Sequence, residues 1–499
     1  MKNFAKLMAL VLACLMILSL LASCDNGKTN DETENKAQNE SVNAESTSAS
    51  EEETEYLPDV DRNNYGEEFY LQTYGGTPYL QYLWAEERDQ NIVTEAVYDR
   101  CQKVQEYLGI EMFGTVPPGD HEHYHESFVT SVKNKDGAVD LFLPNAYMAV
   151  PGIIEGGYCR DFKTISGLNL EADYWNIDYM EDLALLDHYF LGYSDYNIAK
   201  TYLFTFNKDM LEKYDDALDE SIYDTVRGYR WTLDKMISLA QLVYIDATGD
   251  GQTSDDTFGL SGQQWIPFIP FLHGSNLKLV DMDESGNYKV SVYTEQTASK
   301  TTELVDKLKA LASSDCCWLR FRIEDTPVVP ITSGRTLMYL SYFTDLESYL
   351  EYDVSFGVLP YPMFDEAQKD VGYLSLNYDG YLVIPSYLRN EQMVADTIEM
   401  LSFYSQPVRI AVYEKMLGKQ VADTPDDAAM LDIIFDSLTA DFGMTYSTIT
   451  SNLDGILYMI PRLTQENGTE NIASYVQGLE RGANTAIDKY FKKLAKLNK

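Results

Sequence analysis

Strand, helix and strand follow one another at the start of the folded part, and that order limits the fold more than anything else in the chain. Phe69-Tyr70-Leu71-Gln72-Thr73-Tyr74 is an aromatic-rich run stopped by Gly75-Gly76, which reads as a strand ending at a tight turn. Val93, Val97, Val104 and Leu108 recur at helical spacing, and Gly109 supplies the stop. Val139 to Leu143 is a second apolar strand, ended by Pro144-Asn145. Strands joined through a helix pair in parallel, and ligands of such sheets sit beyond the carboxyl ends of the strands. Tyr74-Gly75-Gly76 and Asn145-Ala146-Tyr147 are therefore expected on one edge, close together.

Further along, Leu203 to Asn207 reads as a strand leading into a short helix from Lys208 to Tyr214. Thr232, after Trp231, is a plausible N-cap with Asp234 in the first turn, and Met236, Leu239, Ala240 and Val243 form the apolar face that follows. Val305, Leu308 and Leu311 mark another helix. Val354–Leu359 and Tyr381–Ile384 read as strands stopped by prolines. The tail is mostly helical, through Met393–Tyr404, Val408–Leu417, Ala428–Leu438 and Tyr475–Leu494. With 499 residues, 45% of them hydrophobic, the chain has room for two cores.

The first residues stand apart from that body. Lys2 and Lys6 precede an apolar run from Leu7 to Leu20, and Leu21-Ala22-Ser23-Cys24 follows. This resembles a bacterial lipoprotein signal, which implies cleavage before Cys24 and lipid on its sulfur; the plainer alternative is an ordinary signal peptide with a chance cysteine. Several acyl chains on Cys24 hold a bilayer where one would not. Residues 25–55 carry ten acids against Lys28 and Lys36 and almost no apolar side chain, so they read as a disordered spacer. No second apolar run is long enough to span a membrane. The formal net charge of −41 argues against nucleic acid as a partner.

Several smaller features invite chemistry. Asp246, Thr248, Asp250 and Ser254 place side-chain oxygens at positions 1, 3, 5 and 9 of a calcium-type loop, with Gly251 at position 6. Gln252 and Asp256 complete the candidate set, but Thr257 stands where the bidentate glutamate belongs, and a plain Asp/Gly turn is the competing reading. His121, His123 and His125 are three of only five histidines; on a helix His121 and His125 would share a face and suit zinc. The alternative is a solvated polar helix start. Cys101 reads as a small core residue, and Cys316-Cys317 as two unpaired thiols. No hydrolase, metalloprotease or phosphate-loop motif stands out. A secreted glycoside hydrolase would need two carboxylates at a fixed separation, and 79 acids offer too many pairs to single one out.

Ordered segments across residues 66–440 resemble extracellular solute-binding lipoproteins of carbohydrate-type ABC importers, the maltose-binding-protein-like class. They are Ala96-Val97-Tyr98-Asp99-Arg100 with Val104-Gln105-Glu106, Phe204 to Leu211, Trp231-Thr232-Leu233-Asp234-Lys235, Asp250-Gly251 through Asp256-Thr257-Phe258-Gly259-Leu260, Ser333 to Met338, and Phe356 to Pro362. The resemblance implies an α/β, two-lobed, Venus-flytrap fold of periplasmic-binding-protein type, with crossover segments and a helical C-terminal part. The expected division is signal 1–23, lipidated Cys24 and linker 24–57, lobe 1 from 58–165 and 380–425, and lobe 2 from 166–379 and 426–499. It implies a non-enzymatic, monomeric protein outside the cell membrane that needs no cofactor beyond a candidate structural calcium. Its partners would be a small solute, most of all a sugar or oligosaccharide, and the subunits of a permease. A zinc-binding lipoprotein is the alternative. The cleft turns implied are Tyr74, Gly75, Gly76 and Thr77; Asn145 and Tyr147; Gln264 and Trp265; Ser341 and Tyr342; and Asp379. Tyr147, Trp265 and Tyr342 would stack on sugar rings, while Asn145 and Asp379 would hydrogen-bond.

Overall fold

In a computed structural model of the chain, β1 (Glu67–Thr73) and α1 (Ile92–Leu108) form as expected, but a strand that the sequence reading did not include, β2 (Ile110–Thr115), follows α1 directly: β1 and β2 pair in parallel, Phe69 opposite Met112. Residues 58–74, 80–118, 123–197, 201–263, 269–320, 329–377, 380–418, 425–449 and 471–497 are described here. All of them belong to one unit, residues 57–499. The signal, Cys24 and the spacer lie outside the described residues.

Local chemistry explains α1. The Asn91 side chain accepts from the Val93 N–H at its start, and Gly109 ends it at φ 61°, a left-handed conformation that costs other residues energy. Val93, Val97, Cys101, Val104 and Leu108 are its buried stripe. Arg100 is buried with them. Its guanidinium donates to the carbonyls of Tyr82 and Leu83 and to Ser405 Oγ, and it lies 4.6 Å from the Tyr196 ring centre.

After α2 (His125–Asn134), β3 (Leu141–Leu143) pairs in parallel with β1, giving the order β2-β1-β3. The chain then runs through α3 (Ala146–Glu155) and returns much later to the same sheet. Val383 bridges Phe142, Leu382 bridges Gly192, and Pro385 bridges Cys159. The expected strand at 381–384 thus exists as a series of bridges at the sheet margin.

The second sheet differs in kind. It contains β4 (Tyr202–Asn207), β5 (Tyr244–Ile245) and β6 (Thr257–Gln263). After a hairpin of β7 (Val280–Met282) and β8 (Tyr288–Val290) come β9 (Cys317–Arg320), β10 (Thr336–Tyr342) and β11 (Phe356–Leu359). The order is β11-β4-β10-β6-β5, with β9 also on β6. β4 runs antiparallel to both of its neighbours, whereas β6 runs parallel to β9 and β10. Phe204 of β4 meets the rings of Trp231, Phe271 and Tyr361 in the core beneath.

The motif residues earn their places here by packing. Trp231 is fully buried and donates its indole N–H to the Pro360 carbonyl at 2.9 Å. Thr232 caps the next helix, α4 (Leu233–Ala240), by accepting from the Lys235 N–H. Gly259 has no room for a side chain: a Cβ would stand 1.7 Å from the Ala240 carbonyl oxygen. Lys208 pairs at 2.6 Å with buried Asp427, which also accepts from Tyr223 and from the Val358 N–H. The tail is helical as expected, with α5 (Glu391–Phe403), α6 (Gln406–Leu417), α7 (Pro425–Asp436) and α8 (Ile472–Leu497). No helix among the described residues is long and apolar enough to cross a membrane.

Candidate functional site

Parallel pairing fixes the first edge. Thr73 stands opposite Leu143, and the Tyr74 N–H donates to the Leu143 carbonyl at 3.0 Å. Tyr74 and Asn145 therefore leave adjacent strands at the same edge, as the strand order implied. The Asn145 carbonyl accepts from the Ala149 N–H and opens α3, so the edge runs straight into a helix start. Tyr147 belongs to that first turn; its side chain, and all of Gly75, Gly76 and Thr77, lie outside the described residues.

Two residues just inside this edge escaped the sequence reading. Thr73 is fully buried, and its hydroxyl has no hydrogen-bond partner among the described residues; the same holds for the Gln72 amide nitrogen. The Gln72 carbonyl oxygen accepts from Ser127. Leaving a buried polar group unpaired costs about 1–3 kcal/mol, and as strand neighbours the two residues offer their polar atoms on opposite faces of the sheet. Strand residues this close to a core read as packing in a sequence, which is why they carried no signal.

The second edge is the end of β10. Ser341 does not face a cleft: it is fully buried, 2.9 Å from the Thr205 hydroxyl, and accepts from Tyr349. Strand alternation puts it inward, and Tyr342 takes the opposite side, where its ring lies 4.9 Å from that of Tyr202. Asp345, in the turn that follows, accepts from the Tyr342 N–H. Burial raises its carboxyl to about 6. Burial first, and then the Asp345 charge, push the Tyr339, Tyr342 and Tyr349 hydroxyls up as well. Asp345 was missed because an acid in a turn is ordinary in so acidic a chain. Gln264, Trp265 and Asp379 lie outside the described residues.

The calcium-type loop closes on its own backbone. The Asp246 carboxylate accepts from the N–H groups of Thr248, Gly249 and Gly251, which hold it below the usual carboxylate range. Asp256 is buried and accepts from Ala247 and Thr253, while the Thr248 hydroxyl bonds to Asp250. Gln252 donates its amide to the carbonyls of Asp315 and Cys317, away from a ligand position. Among the described residues no three His, Cys, Asp or Glu side chains gather as a metal site. α2 begins at His125, and His123 and Tyr124 before it form a turn; His121, the other half of the expected zinc pair, lies outside the described residues. Burial lowers the pKa of His125. Cys101, Cys159, Cys316 and Cys317 are buried free thiols.

No protein-family model matches the chain, and no curated protein does. Solved structures match along nearly their whole length. The ABC substrate-binding protein Lmo0181 from Listeria monocytogenes, in complex with cycloalternan, is 11% identical with TM-score 0.52, covering 85% of this chain and 99% of that one. The GacH receptor of Streptomyces glaucescens GLA.O, unliganded and in complex with acarbose, is 13% identical with TM-score 0.52, covering 86% and 98%. UgpB from Mycobacterium tuberculosis, in complex with glycerophosphocholine, is 12% identical with TM-score 0.53, covering 83% and 99%. At such identities the likeness speaks for the fold: this chain has the two-lobed α/β fold of these solute-binding proteins.

Proposed function

We propose that the chain is the solute-binding component of an ABC import system and takes a sugar or oligosaccharide between its two sheets. The observation that carries this reading is the extent of the structural likeness, 98–99% of each of those three solved chains. Two of the three were solved with a saccharide or a saccharide mimic, cycloalternan and acarbose. The two edges offer complementary chemistry for such a ligand. Tyr342 supplies an apolar ring face, Asp345 accepts hydroxyl hydrogens, and Asn145 and Thr73 supply small polar groups from the first edge. Gly75, Gly76, Thr77, Tyr147, Gln264, Trp265 and Asp379 belong to the same expected site. Binding acts through closure of the lobes, which requires the solute to prefer the closed form.

The same reading places the body outside the cell, held by lipid on Cys24, and working beside a permease as a monomer. Nothing in the geometry favours an enzyme. The test is a thermal-shift and calorimetric screen of the full chain against mono- and oligosaccharides, peptides and glycerophosphodiesters. A sugar at a hundred times its Kd should stabilise by about 2.7 kcal/mol. Binding of a peptide or a glycerophosphodiester alone would replace the carbohydrate assignment. For the anchor, labelled palmitate should enter the wild type and not Cys24→Ser.

A further inference from the structure

Consecutive side chains at the end of β10 turn to opposite sides of the sheet. Tyr342 is extended, with φ −95° and ψ 149°, and lays its ring on Tyr202. Phe343 points the other way and joins a cluster with Tyr413 and Phe435. The ring centres are 5.0 Å apart for Phe343–Phe435, 5.4 Å for Tyr413–Phe435 and 6.5 Å for Phe343–Tyr413. These rings wall a cavity of about 650 Å3 that shares no lining residue with the Tyr342 edge. Tyr174 and Asp195, from the segment that precedes the second sheet, close its far side.

The electrostatics of this cavity are one-sided. Five acidic residues line it against one basic residue, Arg409 of α6. Arg409 pairs with Asp195 at 3.3 Å, a long contact for an ion pair. Burial holds the Asp195 carboxyl above its ordinary range, with Arg409 pulling it back only in part. Glu171, Asp173, Asp178 and Asp436 are exposed at its rim and Asp195 is partly buried within, and an aromatic wall beside carboxylates that outnumber cations is a setting in which a positive group gains. A neutral sugar would use the rings but leave the charge imbalance unanswered. A second anion would meet five carboxylates. The cavity volume is within the range of small-ligand sites.

We infer that this cavity binds a small organic cation of the alkylammonium class, with the charged nitrogen over the Tyr413 and Phe435 rings and paired to Asp195. The site stands independently of the carbohydrate reading. It uses the far side of β10, so either can fail without the other.

Calorimetric titration of the full chain with tetramethylammonium and choline tests it, with 3,3-dimethylbutan-1-ol as the neutral isostere of choline. Both cations should bind saturably, and the neutral isostere at least about tenfold more weakly, since charge over desolvated rings is what the site rewards. Tyr413→Leu keeps the apolar volume and Asp195→Asn keeps the shape; each should weaken cation binding by about tenfold or more. Tyr342→Ala should leave it unchanged. Circular dichroism melts of the variants separate lost binding from lost folding. The inference is overturned if no cation saturates, if the isostere binds as well as choline, if folded Tyr413→Leu and Asp195→Asn both bind normally, or if Tyr342→Ala abolishes the effect.

Discussion

The ends of β1 and β10 do different work although both close on the same proposed ligand. At β1 the last residues, Gln72 and Thr73, keep polar atoms unpaired among the described residues. At β10 the groups have already found each other: Ser341 with Thr205 and Tyr349, Tyr342 with Tyr202, Asp345 with the Tyr342 N–H. The first edge holds unspent hydrogen-bonding capacity on a rigid parallel sheet. The second presents a ring face and one poised carboxyl from a prepacked cluster. A site assembled from such halves draws specificity for hydroxyls from one side and apolar contact from the other.

The largest expected effect lies in the lobe that carries the first edge. Arg100→Ala would strip three hydrogen bonds from the Tyr82-Leu83 segment and Ser405, and should cost roughly 2–3 kcal/mol or more in denaturant unfolding, because buried carbonyls lose their donor. A cost near 1 kcal/mol would show that α1 holds these segments without it. Next, Tyr342→Ala should weaken sugar affinity by roughly tenfold or more, because a lost ring face is worth about 1.5 kcal/mol or more. Unchanged affinity by calorimetry would remove the second edge from the site.

Thr73→Val is smaller and sharper. Replacing an unpaired buried hydroxyl by a methyl should stabilise the ligand-free chain by about 1 kcal/mol while lowering sugar affinity. A variant that loses stability would mean the hydroxyl is already satisfied and the two edges are alike. Smallest is the pH response of Asp345. Its carboxyl in the folded chain, at about 6, lies above the unfolded value of about 3.9, so the folded state binds the proton more tightly. This contribution to stability is fullest below about pH 4 and declines as pH rises to about 6. Asp345→Asn should flatten that part of the melting-temperature profile; an unaltered slope would place the titration elsewhere.

Local order made the first sheet legible and tertiary pairing hid the second. The glycine stop at Gly109, the strand and helix that precede it and the Thr232 cap are near-neighbour effects, and each was readable from residues a few positions apart, whereas β2 (Ile110–Thr115), directly after α1, went unread. β4 gave no hint that both of its partners, β10 and β11, would run antiparallel to it from far along the chain. Ser341 was misplaced for the same reason: a shift of one residue along a strand reverses the face, and only the pairing with Leu203 decides it. The calcium-type loop matched a pattern of oxygens, and in the structure the first of them, the Asp246 carboxylate, accepts from the Gly249 and Gly251 N–H groups. The described part of the histidine run, His123 and Tyr124, is a turn rather than the helix its spacing assumed, since α2 starts at His125. Asp345 and the cavity behind Phe343 depend on segments brought together only by the fold.

Calorimetric titration of the full chain with a panel of mono- and oligosaccharides, repeated on Tyr342→Ala and Thr73→Val, tests the central claim most directly. The account predicts saturable binding of at least one saccharide, weakened by substitution at either edge. Absence of saturable binding across the panel, or a bound saccharide indifferent to both substitutions, would contradict it.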